Sequence, residues 1–157
     1  MEVTIINLQK KIALNPALNI KIKKAVRLTL LSEGCAKRGQ VTVCLVDDRT
    51  ISELNSKYLR HNNPTDVIAF NINLPAQETL SADLAISTDT VLANARIFST
   101  SALYELLLYI THGTLHVLGY EDQAADKRRL MNEKSENILR SLMPKTQLFP
   151  LRQNAHT

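Results

Sequence analysis

The segment LYELLLYITHGTLHVLGYED, Leu103 to Asp122, places two histidines four residues apart in an apolar run and follows them with a glycine and an acidic pair. The run reads as a helix. Residues four apart on a helix lie about 5–6 Å from each other on one face, so His112 and His116 can reach a common partner. Gly119 suits the position at which such a helix stops and the chain reverses. Asp122, six residues after His116, then returns a carboxylate toward the open side of the pair.

Two imidazoles and a carboxylate are ordinary zinc ligands. Three protein ligands with a vacant position describe a catalytic site, because structural zinc is normally enclosed by four. Leu103, Leu107, Ile110 and Val117 form an apolar stripe, whereas Glu105, Tyr109, His112 and His116 follow another face. The expectation is one divalent ion held by His112, His116 and Asp122. Asp122 also stands where the last helix begins, and Asp is a favoured N-cap. Ala125, three residues later, denies it a full capping box. Glu121 is the alternate ligand. A zinc peptidase of the HExxH type needs Glu beside the first histidine, where this chain has Gly113.

The remaining pattern mixes strands and helices. Val3 to Leu8 reads as a strand and Asn15-Pro16 as a turn; Ile22, Ala25, Val26 and Leu30 then interleave with Ile20, Lys23, Lys24 and Arg27 at helical spacing, with Gly34 as a stop. Gln40 to Val46 is a β-branched strand, and Asp47-Asp48 offers caps for a helix through Ile51, Leu54 and Tyr58. Asn62-Asn63-Pro64 breaks that helix. Strands follow at Asp66 to Ile72 and Asp83 to Ser87, with Pro75 to Ser81 as a loop between them. Helices are predicted over Thr88 to Ile97, Ser99 to Leu118 and Gln123 to Met143. The fold class is α+β, a single small mixed sheet covered by helices, with the metal site on a long helix and the turn after it. One domain is expected over residues 1–143, with 144–157 as a tail.

Hydrophobic residues at 45% and charged residues at 22% exclude disorder for most of the chain. The first segment, MEVTIINLQKK, lacks the regions of a secretory signal, and no apolar run is long enough for a membrane span, so a cytoplasmic protein is expected. Cys35 and Cys44 form no CxxC pair and read as reduced structural thiols. The net charge of +4 is uneven: residues 1–40 carry eight Lys or Arg against two acids, and the rest eleven against thirteen. Such asymmetry steers a polyanion toward one face, although a solvated helix face explains the same lysines. With aromatic residues at 4% and no Trp, extensive base stacking is not expected.

The run HGTLHVLGYED resembles the YbeY endoribonuclease signature HGxLHLxGYDH, whose three histidines bind zinc. Asp122 stands in place of the third histidine and Glu121 in place of the Asp before it. Leu54 to Phe70, LNSKYLRHNNPTDVIAF, is similar to the family stretch LNxxYRxKDxPTDVLSF, and Ser81 to Ser87, SADLAIS, to LGDIVIS, with Ala82 for its Gly. The family arginine directly follows the Tyr; here Leu59 does, and Arg60 comes next. The resemblance implies a metal-dependent endoribonuclease acting on single-stranded RNA, with His112 and Arg60 as catalytic residues and zinc, nickel or another divalent ion as cofactor. It further implies maturation of the 3′ end of small-subunit ribosomal RNA, ribosome quality control, and the small ribosomal subunit and a ribosome-associated GTPase as partners. The rivals are an assembly factor with a structural metal and a metallohydrolase of some smaller substrate.

Overall fold

The computed structural model describes residues 1–59, 66–73 and 78–144. Arg60 and Thr65, the Asn62-Asn63-Pro64 break, residues 75–77 of the expected 75–81 loop and nearly all of the 144–157 tail lie outside them. Four strands, β1 (Glu2–Asn7), β2 (Gly39–Val46), β3 (Val67–Asn71) and β4 (Leu80–Ser87), form one sheet in the order β1-β2-β4-β3. β1, β2 and β4 run parallel, and β3 pairs antiparallel with β4 at the edge. Among the described residues, five helices accompany them: α1 (Pro16–Ser32), α2 (Asp48–Leu59), α3 (Thr88–Ile97), α4 (Ala102–Val117) and α5 (Ala125–Leu142). The α+β expectation holds, with a single mixed sheet.

Local chemistry explains the boundaries. Asn15 caps α1 by accepting the Leu18 N–H at 2.8 Å, and Pro16 occupies the first turn, where its missing donor costs nothing. The Asn15-Pro16 turn is therefore the start of a helix. Ile22, Ala25, Val26 and Leu30 are buried as the spacing predicts, while Lys24 and Arg27 face solvent. Of the two expected caps of α2, Asp47 accepts the Thr50 N–H at 2.8 Å. Asp48 instead takes the hydroxyl of Thr90 at 3.0 Å and that of Ser87, tying α2 to α3. Ser101 caps α4 through the Tyr104 N–H, so that helix starts at Ala102 and not at Ser99.

β4 begins three residues before the expected Asp83. Leu80, Ala82, Leu84 and Ile86 alternate into the main core, and β2 pairs with β4 along its whole length, from Gly39 opposite Leu80 to Val46 opposite Ser87. Sheet pairing thus extends a strand that local propensity cut short. The main core unites β1, β2 and β4 with α1 and α4; Val46, Ile51, Ile68 and Ala85 form a smaller cluster that includes α2.

α4 lies in the middle, packed against β3, β4, α1, α3 and α5. The expected division into an apolar stripe and a polar face is not what the structure shows, because Glu105 and Tyr109 are completely buried. Their polar atoms are satisfied inside: Thr100 donates to Glu105 at 2.6 Å, and Asn94 donates to the Tyr109 hydroxyl. Past its first two residues, α4 opens to solvent only at His112 and His116.

Gly113 faces the sheet. A Cβ there would lie 2.8 Å from Val67 Cγ2 and 3.1 Å from Leu84 Cδ2. In an exposed helix Gly→Ala gains about 1 kcal/mol, but overpacking a core costs about 1–3 kcal/mol. Gly113→Ala should therefore lower the denaturation midpoint, and adding Val67→Ala should recover part of the loss. Chemical unfolding of the two single variants and the pair measures this coupling; a Gly113→Ala protein more stable than the native one would place α4 farther from β3.

Candidate metal centre

α4 ends in a turn that carries its own wiring. Gly119 adopts φ +97°, a left-handed conformation suited to glycine, and two hydrogen bonds close the turn: Gly119 N–H to His116 O at 2.9 Å and Tyr120 N–H to Leu115 O at 3.1 Å. This is the Schellman arrangement, which satisfies carbonyls that the helix end would otherwise leave open. It also reverses the chain, so that the Tyr120 carbonyl accepts from His116 Nδ1 at 2.9 Å. A carbonyl can only accept. The neutral His116 ring therefore carries its proton on Nδ1 and presents the Nε2 lone pair on its other side.

His116 Nε2 faces Asp122 Oδ2 at 3.5 Å. That is an ion-pair separation, long for a well-formed hydrogen bond. It is close to the edge of a tetrahedral zinc site, since donors bonded at about 2.0–2.1 Å stand about 3.3–3.4 Å apart. α5 begins only at Ala125, its N-cap is Ala124, and no side chain caps it. Asp122 is thus not the cap of α5, and its carboxylate is turned toward the histidine. Glu121, the alternate ligand, pairs with Lys127 instead. His112 lies one helical turn before His116; its Nε2 is closed off from solvent, and its charge reaches Asp122.

The electrostatics follow from these contacts. The Asp122 carboxylate is the main influence on His116 and raises its proton affinity above the ordinary imidazole value; partial burial opposes the rise, while the Tyr120 carbonyl and the Asp66 charge add to it. The same contact with His116 holds Asp122 below the usual carboxylate range against its own desolvation, assisted by the charges of His116 and His112. Asp66 itself organises the entry to β3: its carboxylate accepts from the Val67 N–H at 2.8 Å, and its carbonyl from the Ser87 N–H at 3.0 Å. At the rim, the Arg128 guanidinium donates to the carbonyls of Asp122 and Gln123, each at 3.1 Å.

The structure thus brings His116 and Asp122 together and places His112 one turn away. Among the described residues, no three His, Cys, Asp or Glu side chains are gathered into a ready coordination cluster. The donor set nonetheless fits a divalent ion chemically: two imidazoles one turn apart, a carboxylate at ligand spacing, and a backbone carbonyl that binds Nδ1–H and so frees Nε2. Sequence reasoning missed the Tyr120 carbonyl, although Gly119 signalled the turn that delivers it. Asp66 stands in the family-like stretch, where an Asp before a strand reads as a turn former, but nothing local places it near the histidines, and Arg128 gave no signal. Cys35 and Cys44 are both free thiols, and burial pushes the Cys44 thiol up. No helix among the described residues is long and apolar enough to cross a membrane.

Known proteins resemble this chain over most of its length. The family described as Endoribonuclease YbeY matches residues 4–143. The endoribonuclease YbeY of Carboxydothermus hydrogenoformans is 36% identical over 138 residues, covering 88% of this chain and 95% of its own. That of Chloroherpeton thalassium is 35% identical over 122 residues, covering 78% and 84%. The solution structure of TM1509 from Thermotoga maritima superimposes with a TM-score of 0.61 at 25% identity, covering 89% of this chain and 88% of that one. With a family match over nearly the whole chain and relatives of this identity and coverage, the chain belongs to the YbeY endoribonuclease family.

Proposed function

We propose that this protein is a divalent-metal-dependent endoribonuclease that cleaves single-stranded RNA, matures the 3′ end of small-subunit ribosomal RNA in the cytoplasm and takes part in ribosome quality control. The unit carrying the activity is residues 1–143, with 144–157 as a tail. Family membership supports the ribonuclease class. The observation that supports metal dependence is the His116 environment, in which a carbonyl holds Nδ1–H and leaves Nε2 beside Asp122.

His112, His116 and Asp122 are the residues that would hold the ion, zinc by expectation and nickel or another divalent ion as alternates. The chemistry that a bound ion supplies is Lewis acidity toward the phosphodiester and a lowered pKa for the attacking hydroxyl or water. The chain's own residues supply orientation and charge. The Tyr120 carbonyl keeps the His116 ring from rotating and fixes its tautomer. Arg128, anchored at the rim by two backbone carbonyls, sets a permanent positive charge where a phosphate would approach. Arg60 is assigned a second such contact, balancing charge in the transition state. The exposed Lys24 and Arg27, with Lys21 and Lys23 beside them on α1, form a basic face suited to the RNA backbone. The small ribosomal subunit and a ribosome-associated GTPase are the partners that the family resemblance supplies.

Metal content of protein purified without chelators or tag metal tests the centre directly. Near-equimolar zinc or nickel in the native protein, lost in both His116→Ala and Asp122→Ala, is the expected result, with RNA cleavage lost in parallel. Native protein that is metal-free yet remains bound to ribosomes would favour the assembly-factor reading. Neutralising Lys21, Lys23, Lys24 and Arg27 together should weaken RNA binding and flatten its salt dependence; an unchanged slope would move the RNA surface off α1.

The metal-free protein has a pH signature of its own. His116 has a raised folded-state pKa, so its stabilising contribution is complete below the ordinary value and is lost as pH rises through the raised one. Asp122 has a lowered pKa, so its contribution is present above the ordinary carboxylate value and is lost as pH falls through the lowered one. The ion pair therefore exists between the two. With the Asp122 side chain 52% exposed, solvent screening keeps its value to about 0.2–1 kcal/mol. Proton NMR titration of the chelated protein should find His116 titrating above the ordinary imidazole value of about 6.5, and Asp122→Asn should bring it down. A histidine that titrates identically in both proteins would remove Asp122 from its environment.

A further inference from the structure

We propose that Glu33, Tyr120 and Lys134 form a positioning latch that fixes the turn after α4 and, through it, the orientation of His116 and Asp122. The inference rests on the reading of His112, His116 and Asp122 as the metal centre. Tyr120 is bonded at both ends: its carbonyl accepts from His116 Nδ1 at 2.9 Å, and its hydroxyl donates to Glu33 Oε2. Glu33 is the C-cap residue of α1, 87 positions away in sequence. Lys134, on α5, donates to both Glu33 oxygens at 3.0 and 3.3 Å, and its ammonium stands 5.3 Å from the Tyr120 ring centroid. One tyrosine thus ties α1 and α5 to the histidine at the end of α4.

Beyond the two Schellman bonds, the Arg128 bonds to the Asp122 and Gln123 carbonyls and the Glu121–Lys127 pair, little holds the turn. Gly119 and residues 121–124 are exposed, so scant apolar burial resists fraying there. The latch, in contrast, is sheltered: the Glu33 side chain is 12% exposed and that of Lys134 30%. Burial is the largest influence on Glu33 and favours its neutral form, but the hydrogen bonds from Tyr120 and Lys134 outweigh it and keep the carboxylate charged. A charged acceptor binds the phenol more strongly than a neutral one. The tyrosine is then held at its hydroxyl by the carboxylate and at its ring by the nearby ammonium, and its backbone carbonyl, two residues before Asp122, is held in place.

The Glu33–Lys134 pair is partly exposed on its Lys134 side and adds little to global stability, whereas removing an outer hydrogen-bond partner of a ligating histidine costs about 10–100-fold in metal affinity. The two effects separate a positioning role from a structural one. Zn2+ affinity measured by competition with a chromophoric chelator should fall about 10-fold in Tyr120→Phe and Glu33→Ala, with the thermal midpoint nearly unchanged. Glu33→Gln, which keeps an acceptor oxygen for the phenol, should recover part of the loss. In the metal-free proteins, the 15N shifts of His116 report its tautomer, and Tyr120→Phe should move the ring away from its Nδ1–H form. Native affinity and unchanged His116 shifts in Tyr120→Phe and Glu33→Ala would overturn the latch. If the native protein binds no Zn2+, the metal-centre reading fails and the nitrogen shifts alone decide: a changed tautomer upholds the latch and an unchanged one overturns it.

Discussion

The contact of Gly113 with Val67 and Leu84 lets the α4 backbone settle directly on the sheet, and the placement of the candidate site depends on that approach. With α4 so close, the helix is buried on nearly every side, and even Glu105 and Tyr109 must find partners within the protein. Such a helix cannot easily shift or rotate, because densely packed interiors tolerate little displacement. Two imidazoles emerging at its open end therefore inherit the rigidity of the core. The glycine beside the first histidine thus has a structural reason in this fold. A glutamate there would be driven into β3, so the peptidase pattern is incompatible with the way α4 packs.

Rigidity at the helix is matched by a different kind of control at the turn. His112 and His116 are placed by the core, but Asp122 lies on an exposed stretch whose position is set by a few polar contacts. The Schellman bonds at Gly119 fix the reversal, the Tyr120 carbonyl fixes the ring tautomer, and Glu33 with Lys134 fixes the tyrosine. In the metal-free state His116 and Asp122 stabilise each other as an ion pair, so a cation that uses both must displace a proton.

Much of this was legible in the chain because it is local. Histidines at i and i+4, a glycine stop, and an acid six residues on specify a helix, a turn and a returning carboxylate, and the inward face of α1 follows from Ile22, Ala25, Val26 and Leu30 in the same way. Local rules left Asp122 divided between ligand and cap; only the start of α5 at Ala125, uncapped by any side chain, separates them. What the sequence could not disclose is long-range. Glu33 meets Tyr120 across 87 positions and Lys134 across 101, and neither pairing leaves a periodic trace. The extension of β4 back to Leu80 depends on β2, and the buried partners of Glu105 and Tyr109 depend on packing that periodicity reads as a solvent face.

The end of α4 that bears the site also has a sign. A helix C-terminus carries partial negative charge, which favours cations within the last turn, and His116 lies in that turn with Asp122 and Asp66 adding formal negative charge nearby. The bare site is therefore suited to a proton or a metal ion and poorly suited to a phosphate. An RNA phosphodiester would meet net repulsion there until a divalent cation had reversed the local charge, whereas Arg128 at the rim would attract it throughout. For the function proposed here, metal must precede substrate. On that reading, the basic face of α1 would serve capture at a distance, and the charge inversion at the end of α4 would decide whether a captured strand can enter.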